Sequence, residues 1–140
     1  MPFGINHAIN QSSTEAPAVC LHDGKLHMVF VAANGSHDLL HAESEDGLNW
    51  RRRNNVGESG KNQPALVSFN GSLFLAFVAN NESNTLLFTQ WDEGKDQWLH
   101  HQTTNLSAQD GPTLAVFKGR LRLYYVANNS TDSLLVNEFS

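Results

Sequence analysis

The chain has 140 residues, of which 40% are hydrophobic and 16% are charged, and its formal net charge at pH 7 is −5. This is the size of one domain, and the composition is too apolar for a disordered chain. The apolar runs are too interrupted to cross a membrane, and the acidic balance argues against nucleic acid, whose phosphates need a basic surface. We therefore expect one domain over residues 1–140, with no membrane span and no nucleic-acid partner.

The first residues, Met1 to Gly4, do not have the pattern of a cleaved signal peptide. We therefore expect a protein that is cytoplasmic or secreted without a cleaved signal peptide. The single cysteine, Cys20, allows no disulfide within one chain and is predicted to be a small core residue.

Three prolines mark an internal repeat: Pro17, Pro64 and Pro112 are spaced by 47 and then 48 residues. In each repeat the proline is followed by a turn glycine, an apolar run, a polar loop and a pair of leucines. A regular period in the forties is typical of proteins built from stacked structural units. The predicted repeats are 14–61, 62–109 and 110–140.

The first two strands of every repeat are predicted to form a tight hairpin. The turns fall at Asp23-Gly24, Asn70-Gly71 and Lys118-Gly119, and Asp or Asn before Gly accepts the positive φ angles of such turns. No segment has a sustained 3.6-residue apolar period, which disfavours helical repeats. The sequence therefore predicts an all-β protein, a β-propeller built from four-stranded antiparallel blades, with three blades per chain.

The third repeat lacks the tail that the other two carry. Trp50 and Trp98 each lie 14 residues before the next proline, and the same count back from Pro17 reaches Phe3. Residues 1–13 therefore have the register of the tail missing from repeat 110–140. Because propellers close with about four to eight blades, we expect a homodimer that forms a six-bladed ring. In that ring residues 1–13 complete the third blade of the partner chain, and completion within the same chain is the alternative.

The stretch from Ser44 to Trp50, Ser-Glu-Asp-Gly-Leu-Asn-Trp, resembles the Asp-box of sialidase-type repeats. A looser version runs from Asp92 to Trp98. With these turns the repeats are similar to those of Asp-box β-propeller lectins and of sialidases. The resemblance implies that the Asp-box is a fold element remote from the active face. A sialidase also needs three arginines from separate blades, whereas Arg51, Arg52 and Arg53 are adjacent, and we interpret that run as a solvated edge.

One face of the predicted disc carries the loops that lead into strand 1 and those that join strands 2 and 3. Their carboxylate, amide and hydroxyl side chains can pair with sugar hydroxyls, although the same side chains also stabilise turns. Recurrence in three repeats, doubled in the ring, predicts several weak sites that act together. Trp91 is added as an aromatic platform specific to one repeat. The predicted sugar-binding residues are Glu15, Asn34, His37, Asn62, Gln63, Asn81, Asn84, Trp91, Asp110, Asn129 and Asp132.

We therefore expect a multivalent carbohydrate-binding lectin that is not an enzyme and whose partners are glycans and a second copy of the chain. A protein-interaction or toxin-associated propeller is the first alternative. A glycosidase is the second, because Glu15 and Asp110 fall at equivalent positions and a carboxylate pair can hydrolyse a glycosidic bond. The histidines are scattered, and His27 and His41 fall in strands, so we expect no metal site, no catalytic residue and no cofactor.

Overall fold

The structure, a computed structural model, describes residues 2–139 apart from the side chain of Asn54. Within that range the chain forms strands, turns and loops, and no helix occurs that is long and apolar enough to cross a membrane. The strands build three antiparallel sheets, in which they follow one another mostly in chain order. The prediction of an all-β protein made of antiparallel sheets is therefore confirmed for the described residues.

The three sheets, named blades 1 to 3, correspond to the three repeats. Blade 1 consists of β1 (Ala18–His22), β2 (Lys25–Val31), β3 (Asp38–Ser44) and β4 (Arg51–Ser59). Blade 2 consists of β5 (Ala65–Phe69), β6 (Ser72–Val78), β7 (Thr85–Asp92), β8 (Gln97–Trp98) and β9 (Gln102–Ser107). Its outer strand is divided, since β8 and β9 both pair with β7. Blade 3 consists of β10 (Thr113–Phe117), β11 (Arg120–Val126) and β12 (Leu134–Glu138).

Each blade begins with the predicted hairpin. Asp23 and Gly24 have φ angles of 49° and 77°, and the corresponding angles are 48° and 78° at Asn70-Gly71 and 52° and 74° at Lys118-Gly119. Two successive positive φ angles match the twist of the flanking strands, which sets the register between the first two strands. His22 accordingly pairs with Lys25 across the first turn. Lys118 adopts the same backbone angle as Asp23, so the register is kept where the sequence lacks Asp or Asn.

The blades pack face to face through alternate side chains of their strands. On blade 1, Val29, Val31 and Leu39 face blade 2, which presents Leu75 and Phe77, and all five side chains have an exposed fraction of 0%. Successive residues of a strand point to opposite faces, so the intervening residues cover the next interface. This explains why the second strand of blade 2 is apolar on both faces.

The linkers between blades repeat the same hydrogen bonds. The amides of Thr14, Lys61 and Gln109 donate to the carbonyls of Val31, Val78 and Val126, each at 3.2 Å. Isolated bridges join the neighbouring residues in all three places. The segment before blade 1 therefore enters its blade as the linkers before blades 2 and 3 do.

The outer edge of blade 3 is open in the described chain. Leu134 on β12 is 82% exposed, whereas its equivalents Leu39 and Leu86 are both 0% exposed. Residues 2–13 do not pair with β12. Ile9 instead packs on the free face of blade 1, against a cluster that includes Met28 and Phe30. The chain thus supplies three blades, and the predicted six-bladed dimer stays a proposal.

Candidate functional site

The loops that lead into the first strands of the blades lie side by side. β5 contacts both β1 and β10, so the starts of these three strands are gathered at one end of the structure. A Cβ added at Gly111 would lie 2.2 Å from the carbonyl oxygen of Gln63, an approach that only glycine permits. The loops before β5 and β10 are therefore in backbone contact. We call residues 12–17, 60–64 and 108–112 the axial loops.

Each axial loop places one polar side chain two residues before its proline, namely Glu15, Asn62 and Asp110. Glu15 is half-buried, and the exposed Asp110 accepts a hydrogen bond through Oδ1 from the amide of Gly111 at 2.8 Å. The Oδ1 atom of Asn62 is buried and has no hydrogen-bond partner within the described part of the chain. Neighbouring loops thus present a carboxylate, an unpartnered amide oxygen and a second carboxylate. Gln63 beside them is exposed.

The loops between the second and third strands use their first asparagine to form the turn. Asn34, Asn81 and Asn129 each accept a hydrogen bond through Oδ1 from the amide two residues later, at 2.9 to 3.0 Å. Such Asx turns fix the loop conformation. For these three predicted sugar ligands the structure gives the oxygen a turn-forming role. All three remain exposed.

The same loops end on a residue in the left-handed conformation. His37, Asn84 and Asp132 have φ angles of 62°, 55° and 55°. The carbonyl of His37 accepts from the amide of Gly60 at 3.0 Å, and that of Asn84 accepts from Ala108 at 2.9 Å. These bonds hold the loops against the axial loops of the next blade.

Two side-chain atoms of this set also lack a hydrogen-bond partner among the described residues, although they are buried. They are Nδ1 of His37 and Oδ1 of Asn84. The side chain of Asp132 accepts from Gln109 at 2.9 Å, and Asn84 donates to Asn128 of blade 3 at 3.2 Å. Polar side chains of the predicted face therefore form a hydrogen bond across the boundary between blades 2 and 3.

The prediction that Trp91 is a sugar platform is wrong. Its side chain is 4% exposed and packs edge to face against His41 and Trp98 in the core. Its indole N–H donates to Glu93. Trp91 is the last residue but one of β7, so it lies at the end of the blade away from the axial loops. Packing between blades 1 and 2 buries the indole ring of Trp91, whereas alignment of the repeats had indicated no packing partner for it.

The arginine run is only partly a solvated edge. Arg51 and Arg52 are exposed, but Arg53 is half-buried and contacts Glu43 at 3.0 Å. Arg51 also contacts Glu43, and Lys25 lies 3.7 Å from the same carboxylate. Burial alone would raise the pKa of Glu43, but hydrogen bonds from Arg51 and Arg53 outweigh it and lower the pKa to about 2.

The Asp-box turn joins β3 and β4 at the end opposite the axial loops. The carboxylate of Asp46 accepts hydrogen bonds from the amides of Leu48 and Asn49 at 2.9 and 2.8 Å. Hydrogen bonds from Asn49 and Leu48 hold the pKa of Asp46 well below its usual range. Trp50 donates to the carbonyl of Gly47 at 3.1 Å. The turn closes on itself, which agrees with a structural role.

The structure also groups three side chains that the sequence did not connect, namely Glu58, His100 and His101. The sequence signal was the adjacency of the two histidines. Glu58 belongs to another blade, so no spacing rule links it to them.

No protein-family model matches the chain, and no curated protein matches its sequence. Solved structures do match its fold. A protein of unknown function from Dyadobacter fermentans aligns with a TM-score of 0.76 and 12% identity over 89% of this chain and 37% of that one. The GH43B protein of a Bacteroides ovatus xyloglucan locus aligns with a TM-score of 0.72 and 13% identity over 96% of this chain and 29% of that one. A xylan β-1,4-xylosidase from Bacillus halodurans aligns with a TM-score of 0.71 and 16% identity over 98% of this chain and 31% of that one.

These similarities assign the fold: the three sheets are arranged like blades of the β-propeller glycosidases. The chain spans between 29% and 37% of the length of these three structures. The prediction of a lectin is wrong, because the solved structures that share this fold are GH43 glycoside hydrolases and not specifically Asp-box lectins. That prediction depended on the recurrent polar side chains of the loops between the second and third strands, called the 2–3 loops. In this structure their first asparagines, Asn34, Asn81 and Asn129, form Asx turns.

Proposed function

We propose that this chain forms part of a propeller that hydrolyses glycosidic bonds, with its reaction site at the axial loops. The observation that carries the proposal is the row formed by Glu15, Asn62 and Asp110, which occupy equivalent positions in three adjacent blades. The contact between Gly111 and Gln63 supports convergence of these loops. The likeness in fold to glycoside hydrolases is consistent with this chemistry.

Glycoside hydrolysis uses two carboxyl groups with different roles. One protonates the glycosidic oxygen as the bond to the anomeric carbon breaks. The other either attacks that carbon or removes a proton from the attacking water. We assign the second role to Asp110, because the Gly111 amide orients its carboxylate, and the acid role to Glu15. Separations of about 5.5 Å or of about 6.5–9.5 Å between the carboxyl groups distinguish retention from inversion.

The amide groups between the carboxylates suit the binding of sugar hydroxyls. The buried Oδ1 of Asn62 has no partner among the described residues, and a buried acceptor without a hydrogen bond is costly. A sugar hydroxyl that donates to this atom would remove that cost. Gln63, which is exposed next to it, offers both a donor and an acceptor.

We also propose that a second copy closes the ring into six blades. The amides of Gly60 and Ala108 donate to the carbonyls of His37 and Asn84. The next member of this series pairs Ser13 with Asp132, and in a dimer the Ser13 amide of one copy would donate to Asp132 of the other. This exchange would cover β12 and place two sets of axial loops around one axis.

Hydrolysis of nitrophenyl glycosides tests the proposed activity. We expect turnover of at least one of the β-xyloside, α-arabinofuranoside and β-galactoside, and a loss of about 100-fold or more in kcat for Glu15→Gln and for Asp110→Asn. Glu82→Gln is the matched control, because Glu82 is an exposed carboxylate of a 2–3 loop on the same face. It should retain the wild-type rate.

Absence of turnover by the wild-type protein would refute the proposed hydrolysis. Equal rates in all three variants would refute the assignment of Glu15 and Asp110 as the catalytic carboxylates. The sequence-based expectation that the chain is not an enzyme stays a prediction. It predicts that none of these glycosides is hydrolysed.

A further inference from the structure

The rim between blades 1 and 2 holds a compact group of metal-ligand side chains. The Oε1 atom of Glu58 lies 2.8 Å from Nδ1 of His101, and the rings of His100 and His101 have centroids 4.4 Å apart. One potential ligand atom from each of the three residues lies within 4.8 Å of those of the other two. We propose that Glu58, His100 and His101 bind one zinc ion and thereby join the outer strands of two blades.

The backbone departs from regular pairing on both sides of this group. In blade 2 the outer strand is interrupted between β8 and β9, and His100 and His101 lie in the interruption. Successive residues of a strand point to opposite sides, so leaving the strand conformation allows two adjacent histidines to share one side. The hydroxyl of Thr89 donates to the carbonyl of Leu99 at 2.5 Å and holds the interruption in place.

In blade 1 the irregularity lies in β4. The pairing of β3 with β4 shifts register between Asp38 and Leu40, and Gly57 has a φ of 85°. Glu58 lies within this bulge, between Asn55 and Ser59, and its side chain is 12% exposed. Glu58 also accepts through Oε2 from the backbone amide of His101 at 3.2 Å. Bulges re-aim side chains at strand edges, and here the bulge directs a carboxylate at the neighbouring blade.

The donor set selects the class of ion. Two imidazoles and one carboxylate suit zinc and its first-row neighbours, whereas magnesium and calcium prefer sites made of oxygen atoms. Donor atoms on a tetrahedral zinc ion lie about 3.3 Å apart, so small side-chain movements would bring these three into place.

Zinc titration of the 140-residue protein by calorimetry at pH 7 tests the site, and this test does not depend on the proposed hydrolysis. We expect one ion per chain, a higher unfolding temperature with zinc than with a chelator, and no comparable effect of magnesium. His100→Ala should weaken zinc binding by about tenfold or more, and because His100 is exposed the variant should fold. Glu58→Gln should do the same. The control is His7→Ala, an exposed histidine of the N-terminal segment, which should bind zinc like the wild type.

Cobalt substitution gives a second measurement. The wild type and His7→Ala should show the visible absorption of a low-coordinate cobalt site, and His100→Ala should lose it. Unchanged zinc affinity in both His100→Ala and Glu58→Gln, or equal affinity for zinc and magnesium, would overturn the proposal.

Discussion

The Nδ1 atom of His27 lies 2.9 Å from the Nε2 atom of His41, and both rings are buried between blades 1 and 2. The indole N–H of Trp98 donates to Nδ1 of His41 at 3.4 Å, so Nε2 of His41 is the atom that carries its proton. That proton is donated to Nδ1 of His27. The network therefore needs both imidazoles neutral, because a protonated ring would present a donor to another donor.

The histidine pair predicts a loss of stability in mild acid. Burial, with smaller effects of His27 and Arg53, lowers the pKa of His41 from 6.5 to about 3, and burial also lowers the pKa of His27. The unfolded chain therefore binds more protons than the folded one below pH 6.5, and stability falls as the pH decreases from 6.5 towards 3. For His41 we expect the free energy of unfolding to decrease by about 2 kcal/mol between pH 6.5 and pH 4.5.

Denaturant titrations at several pH values measure this effect, and the repeat itself supplies the control. His27 and His41 are equivalent to Phe74 and Phe88 in the next repeat. The double variant His27→Phe with His41→Phe should have a distinctly flatter dependence between pH 6.5 and 4.5. Parallel curves for the two proteins would show that other groups cause the acid sensitivity.

The two Asp-box-like turns should contribute unequally to stability. Asp46 accepts from two backbone amides and from the hydroxyl of Ser44 at 3.1 Å, whereas Asp92 accepts from the amide of Lys95 at a longer 3.2 Å. We expect Asp46→Ala to lower the unfolding temperature more than Asp92→Ala does, since more donors lose their acceptor. Thermal unfolding followed by circular dichroism measures both, and the reverse order would be contrary to this account.

The open edge of blade 3 predicts self-association. Leu134 is 82% exposed in the single chain, and a second copy that closes the ring would bury it. We expect sedimentation equilibrium to give twice the mass of one chain, and Leu134→Lys to give the mass of one chain, because a buried lysine without a partner is costly. Leu48→Lys is the control, since Leu48 is 51% exposed on the Asp-box turn. A wild-type protein with the mass of one chain would contradict ring closure.

The sequence predicted features that depend on nearby residues. The turn at Asp23-Gly24 needed only the tolerance of those residues for positive φ. The period of 47 to 48 residues allowed the strand and turn pattern of one repeat to be checked against the other two. The asparagine of each 2–3 loop could be assigned to a turn for the same reason. The position two residues before each proline also followed from alignment, and it gave Glu15 and Asp110 as candidates.

Contacts between blades were decided by the tertiary structure. Trp91 looked like a free aromatic side chain in the alignment, but packing against His41 buries it. Glu58 and His101 are 43 residues apart and meet because a bulge in one blade faces an interruption in the next. Local preferences act over a few residues and are visible in a single sequence. Which side chains of two blades face each other depends on how whole sheets stack, and that is fixed only when the chain is folded.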